Sequence, residues 1–230
     1  MQELKSSFIS NFIDDNRWRY ITDGLKITLL VTVFAVLIGV VLGFLIAIVR
    51  TTHDKTGKLK ILNAICKVYL TVIRGTPVVV QLMIIYFIIF GSVDISKVVV
   101  AIVAFGINSG AYVSEIIRAG ILSIDKGQTE AGRSLGLNAY QTMTRIVIPQ
   151  ALKNIFPALC NEFIVLIKET AIVGYVGLMD IQKAGDFIKS ATYEAFMPLI
   201  GTAIIYYVLI KVLTLILGVF ENKLRKSDIR

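Results

Sequence analysis

Between Ile27 and Val49 the chain runs for 23 residues without a charged side chain. As a helix rising 1.5 Å per residue, such a run is about 35 Å long, enough to cross a hydrocarbon core of about 30 Å. It has no polar face to offer to water, so the bilayer is the solvent that suits it. Gly39 and Gly43 lie four residues apart on one side of it, a small-xxx-small pattern that lets a second helix approach closely. The 56% hydrophobic content and positive mean hydropathy extend this reading to the whole chain. A net charge of +8 would suit nucleic acid. Here the cations cluster at the ends of apolar runs instead of on one amphipathic face, so nucleic acid is not the expected partner.

The other apolar runs complete the expectation of a single all-α integral membrane domain over residues 1–230 with five transmembrane helices. The spans fall at about 25–50, 68–91, 97–120, 148–175 and 195–221. Residues 1–24, with the amphipathic aromatics Trp18 and Tyr20, read as an interfacial lead-in. Arg50 to Lys60 reads as a short basic loop. Pro77 to Phe90 is too short to span alone, so the second span borrows from the helix before it, bent or restarted at Thr76-Pro77. Lys60, Lys67 and Arg74 recur every seven residues, which fits an amphipathic helix at the headgroups or one facing a polar lumen. Leu178 to Tyr193 reads as a short surface helix. Counting Lys and Arg, the connections on one side carry twelve and those on the other six. The positive-inside tendency then puts the N-terminus outside and the C-terminus in the cytoplasm.

One polar interruption stands apart, the stretch Gly127–Pro149, which overlaps the loop 123–147, on the expected cytoplasmic side. Gly136 after Leu135 reads as a left-handed helix end. Asn138 with Gln141 three residues on reads as a capping box opening a second helix towards Pro149. The expected piece is helix, sharp turn, helix.

Ionisable groups inside apolar runs are costly, so they mark bundle interiors or wet cavities. Asn108, Tyr112 and Glu115 share one face of the third span. Asn161, Glu162, Val165, Lys168, Glu169 and Ile172 trace a stripe on the fourth. Facing each other, the two stripes would make a cavity with both charge signs, suited to the ammonium and carboxylate of a free amino acid. The alternative is structural: Lys168 pairs with Glu162 or Glu169, and Glu115 with Arg118, only to neutralise buried charge. Nothing suggests covalent chemistry. The sequence has no GxxxxGK[ST], HExxH or GxSxG stretch, and Cys66 and Cys160 are isolated.

Glu130, Ala131, Gly136, Ile146 and Pro149 match the spacing of the loop signature of membrane subunits of ATP-binding cassette importers. Gly132 and Ile148 replace residues usual there. Arg74-Gly75-Thr76-Pro77 with Gln81, Ala111-Tyr112 with Glu115 and Arg118, Lys126-Gly127-Gln128, Pro149-Gln150-Ala151-Leu152 and Lys168-Glu169-Thr170 further resemble the polar amino acid uptake branch. Asp125 and Glu169 depart from the residues common in that branch. The resemblance implies a type I importer-like permease of a bacterial cell membrane, with loop 123–147 as a coupling helix. Its Glu130, Ala131, Gly132, Ser134, Leu135 and Gly136 would engage the ATPase. It implies a substrate pocket drawn from Asn108, Tyr112, Glu162, Lys168, Glu169 and Thr170. It also implies three partners: a separate ABC ATPase subunit, a second permease subunit (identical or not) and an extracytoplasmic amino acid-binding protein. The chain itself would be no enzyme and hold no cofactor, ATP and magnesium being bound by the ATPase. An ATP-independent channel or carrier, or a membrane scaffold, could use the same buried stripes but has no need of the elbow.

Overall fold

The computed structural model describes residues 2–225, so most of the basic tail at 223–230 lies outside the described residues. Among the described residues every regular element is helical: α1 (Gln2–Phe8), α2 (Trp18–Thr56), α3 (Lys60–Gly75), α4 (Val78–Ile84), α5 (Lys97–Leu122), α6 (Lys126–Ser134), α7 (Ala139–Thr142), α8 (Ile148–Glu169), α9 (Ile181–Thr192) and α10 (Phe196–Arg225). A π turn, Ile85–Ile89, prolongs α4, and a 3-10 segment, Thr170–Val176, prolongs α8.

The uncharged run sits inside α2, which is longer than the run at both ends. The expected loop at Arg50–Lys60 is helical through Thr56, because its residues are polar without being helix breakers. Only Gly57, at φ +67°, stops the helix, its N–H bonding back to the His53 carbonyl.

α2 and α5 form the central pair. A Cβ added at Gly39 would lie 2.8 Å from Cβ of Ser109, and one at Gly43 would lie 2.7 Å from Cγ1 of Val113. The two glycines therefore set the approach of the backbones, as the small-xxx-small spacing predicts. Val31 and Ala35 of α2, Leu82 of α4, Ala104 and Phe105 of α5 and Leu166 of α8 share one buried cluster around this pair. Ala47, Val113, Ile117, Ala151 and Ile155 form a second one, where α8 meets α2 and α5.

α3 and the α4 segment meet at a bend of 112°. Pro77 takes an extended backbone there, and its carbonyl receives the first N–H groups of α4. The segment expected as the second span, 68–91, is thus broken at Thr76-Pro77, where the sequence predicts a bend or restart. Three helices are long and apolar enough to cross a membrane: Trp18–Thr56, Lys97–Leu122 and Phe196–Lys223. The bent pair makes a fourth if taken as one span. α8 falls short in composition rather than length, since Pro157, Glu162, Lys168 and Glu169 interrupt its 22 residues.

The outward faces of α2, α3 and α10 are apolar and exposed, as lipid-facing surfaces are. α9 is the short helix expected there, with Lys183, Phe187 and Ser190 exposed and its other face packed tightly. It buries Ile181, Ala184 and Ile188 completely, wedged against α2 and α10. Its N-cap Asp180 is fully buried, accepts the N–H groups of Gln182 and Lys183, and receives the Tyr206 hydroxyl of α10. The buried face is a narrow stripe of Ile181, Ala184, Gly185 and Ile188.

Candidate functional site

An open cleft of about 680 Å³ lies between α2, α3 and α5, lined by Arg50, Lys67, Arg74, Tyr112 and Glu115. Arg50 forms an ion pair with Glu115, and Arg74 lies 4.0 Å from the other oxygen of the same carboxylate. The Arg74 guanidinium sits 5.8 Å from the centre of the Tyr112 ring, within cation–π range. Three cations and one carboxylate line the cleft, so it carries a surplus of positive charge and draws anionic groups. Lys67 and Arg74 of the seven-residue stripe on α3 both line this cleft.

Glu115 does not pair with Arg118. Arg118 instead meets Asp54 at 3.1 Å. Arg50 and Asp54 are one turn apart on α2, and Glu115 and Arg118 one turn apart on α5, so the close helix pair forms two interhelical rungs. Each rung competes successfully with the contact within α5. A single-helix reading had no access to that competition.

Asn108, one turn from Tyr112, is buried and donates from Nδ2 to Oε1 of Gln81 at 2.9 Å. Gln81 in turn donates from Nε2 to the carbonyls of Ile73 and Thr76 and to the Thr76 hydroxyl. These are the carbonyls left free where α3 breaks, so the pair satisfies the backbone at the bend. Glu162 is buried and accepts from the Ser109 hydroxyl at 3.0 Å, between α8 and α5.

The rest of the fourth-span stripe is divided. Asn161 and Lys168 are exposed, Glu169 is half-buried, and Thr170 is buried with its hydroxyl donating to the Ile167 carbonyl. Lys168 makes no ion pair within 4.0 Å among the described residues. The structure therefore separates the expected pocket into the Tyr112 cleft, the Asn108–Gln81 brace and the Glu162–Ser109 contact, with Lys168 apart. Arg50, Lys67 and Ser109 went unremarked as site residues. Two sequence signals point to the cleft, the seven-residue cation stripe and the Tyr112–Glu115 face of the third span.

The polar elbow takes the expected form. Asp125 caps α6, its carboxylate accepting the Gly127 N–H, so aspartate starts this helix without a proline. Gly136 closes α6 at φ +83°, and the N–H groups of Gly136 and Leu137 bond back to the Arg133 and Gly132 carbonyls. Asn138 and Gln141 exchange hydrogen bonds of 2.9 Å in a capping box at α7. Gly132 is the one buried residue of α6, pressed on Ile146 and Thr142. Glu130, Ala131, Ser134 and Gly136 are all exposed. At the tip, Leu135 is 82% and Tyr140 77% exposed, although neither side chain gains from water. The capped polar elbow thus holds two large side chains outward.

Residues 35–226 match the family described as the binding-protein-dependent transport system inner membrane component. The chain belongs to this family. This permease-type chain is 43% identical over 211 residues to the arginine transport system permease protein ArtQ of Bacillus subtilis, covering 91% of this chain and 94% of that one. It is 41% identical over 207 residues to the putative glutamine transport system permease protein GlnP of Rickettsia typhi, covering 89% and 93%. A crystal structure of an amino acid ABC transporter with histidines contains a chain of the same fold, with a TM-score of 0.81 and 43% identity over 89% of this chain and 94% of that one. The fold is also that of a chain of the MetNI methionine ABC transporter, at a TM-score of 0.74 and 18% identity.

Proposed function

We propose that this membrane component is the permease subunit of an ATP-driven importer of polar amino acids. The observation that carries the reading is the elbow: a defined helix–turn–helix whose tip holds Leu135 and Tyr140 in the open. Burying each of those side chains on a partner is worth about 1.5–3 kcal/mol. The ATPase subunit is the partner the elbow meets, on the cytoplasmic side where the Lys and Arg excess puts it. In this reading the chain crosses the membrane five times, α8 with its 3-10 extension being the fourth span, shielded by neighbours along its polar face.

The substrate class follows from chemistry and from the relatives, two of which are named as arginine and glutamine permeases. A free amino acid carries a carboxylate, suited to the Arg50, Lys67 and Arg74 cluster, and an ammonium, for which Glu115 is the carboxylate in the same cleft. Alternating access then needs only that the elbows of two permease subunits be drawn together when ATP closes the ATPase pair. An extracytoplasmic binding protein delivers the solute.

Reconstitution tests the reading. The chain is co-expressed with a candidate ABC ATPase and a candidate amino acid-binding protein and placed in proteoliposomes. ATP-dependent uptake of a labelled amino acid is expected. Leu135→Asp/Tyr140→Asp should leave the chain in the membrane yet abolish ATPase retention. Uptake that proceeds without ATP would move the assignment to a channel.

A further inference from the structure

The residues before α2 lie outside every membrane-crossing helix, yet they show the same contradiction as the elbow, apolar side chains left in the open. Leu4, Phe8 and Ile13 are each about half exposed or more. The segment is not a continuation of α2. Asp15 and Asn16 take positive φ angles of 52° and 54°, turning the chain sharply before Trp18.

Its inward side is built as a clamp. The π turn Ile9–Ile13 swings Asn11 and Phe12 towards the protein, both buried, while Ile9 and Ile13 stay out. Asn11 is fully buried, donates to Glu194 and to the Ser7 carbonyl, and accepts from the Thr192 hydroxyl at 2.8 Å. Ser7 donates to the other oxygen of Glu194. The Phe12 ring fills the space beside Gly201 of α10. Further along, Tyr20 packs on Phe187 and Gly24 lies against the Asp180 carbonyl. From Asn11 to Gly24 the chain thus passes α9 from its C-terminal end to its N-terminal end.

We propose that residues 2–17 form an interfacial lipid anchor, clamped to the α9–α10 corner by Ser7, Asn11 and Phe12, with Leu4, Phe8 and Ile13 dipping into the leaflet at which α2 begins. The occupant of the apolar face is lipid because the segment leads, through the Asp15–Asn16 turn, directly into the exposed Trp18, an interfacial aromatic next to the membrane-crossing run. The segment to Arg19 carries three acids (Glu3, Asp14, Asp15) and three bases (Lys5, Arg17, Arg19). Its attraction to the bilayer is therefore apolar, not ionic. It predicts equal insertion into neutral and anionic membranes and no loss in high salt.

Trp18 is the only tryptophan, so one exchange makes a clean probe. In Trp18→Phe/Phe8→Trp, placed in phosphatidylcholine nanodiscs, lipids brominated high on the acyl chain should quench residue 8 several-fold more than aqueous iodide does. Leu4→Trp in the same background gives a second probe should the first fold poorly. Strong iodide quenching with weak bromolipid quenching at both positions would overturn the anchor. So would quenching by bromolipid only when the nanodisc contains anionic lipid. Adding Glu194→Ala removes the acceptor of Ser7 and Asn11 and should lower the fluorescence anisotropy at residue 8. Unchanged anisotropy would overturn the clamp. None of these readouts needs ATPase or substrate, so their failure would leave the import reading intact.

Discussion

Asn108 on α5 donates to Gln81 on α4 at 2.9 Å, and Gln81 passes the bond to the carbonyls of Ile73 and Thr76 where α3 breaks. Asn108 is a brace before it is a ligand. Asn108→Leu should strand the Gln81 carbonyl oxygen at a buried site, costing about 1–3 kcal/mol. In a chain of this size that lowers the melting temperature by about 2–4 °C per kcal/mol. Gln81→Leu/Asn108→Leu should lose less than the sum of the two single changes, measured by thermal unfolding in detergent. Additive losses would show that the pair is not coupled.

Lys168 is exposed and Glu169 beside it half-buried, with no close ion pair between them among the described residues. Two charges kept only to neutralise each other would be dispensable together. If Lys168 instead meets a substrate carboxylate, Lys168→Met should weaken substrate affinity by about 1.5–3 kcal/mol, roughly ten- to hundredfold. Lys168→Met/Glu169→Gln should remain as defective, read as uptake with basal ATP hydrolysis intact. Wild-type uptake by the double variant would reject the ligand role.

Gly136 sits at φ +83° with open space around it, so a side chain there meets conformational strain and no clash. Gly136→Leu should cost about 1–2 kcal/mol locally and tilt α6 relative to α7. The expected signature is full-length protein in the membrane, ATP hydrolysis retained, and solute moved per ATP reduced. Normal coupling in that variant would remove the elbow from the mechanism.

Burial pushes the Asp180 carboxyl above the ordinary carboxylate range, outweighing the N–H groups of Lys183 and Gln182 and the Tyr206 hydroxyl that favour its charged form. The folded state therefore keeps this proton when the unfolded chain has lost it. The Asp180 contribution to stability is full below the unfolded pKa and declines as pH rises to the folded value. Asp180→Asn keeps a good N-cap and removes the titration. Relative to this variant, the native chain should lose stability as pH rises above the ordinary carboxylate value, read by melting at stepped pH. A difference independent of pH would refute it.

Ser134 on the elbow and Lys183 on α9 are both exposed. Cysteines introduced there, in a chain with Cys66 and Cys160 replaced, should react with an impermeant reagent from opposite sides, Ser134→Cys from the cytoplasm. Labelling of both from one side would end the five-span topology.

Local chemistry was legible in the sequence because it depends on near neighbours. The uncharged run, the break at Pro77, the left-handed Gly136 and the Asn138–Gln141 box each involve residues within a turn or two, and the structure has them all. The glycine spacing on α2 likewise announced a close helix contact. Partner choice was another matter. Which cation Glu115 takes, whether Asn108 faces solute or Gln81, and what the inner face of α9 packs against are contests between groups far apart in the chain. Helical periodicity fixes which residues share a face, not what that face meets. Only the approach of α2 to α5, with the 112° bend bringing α3 beside them, decided where the cations gather.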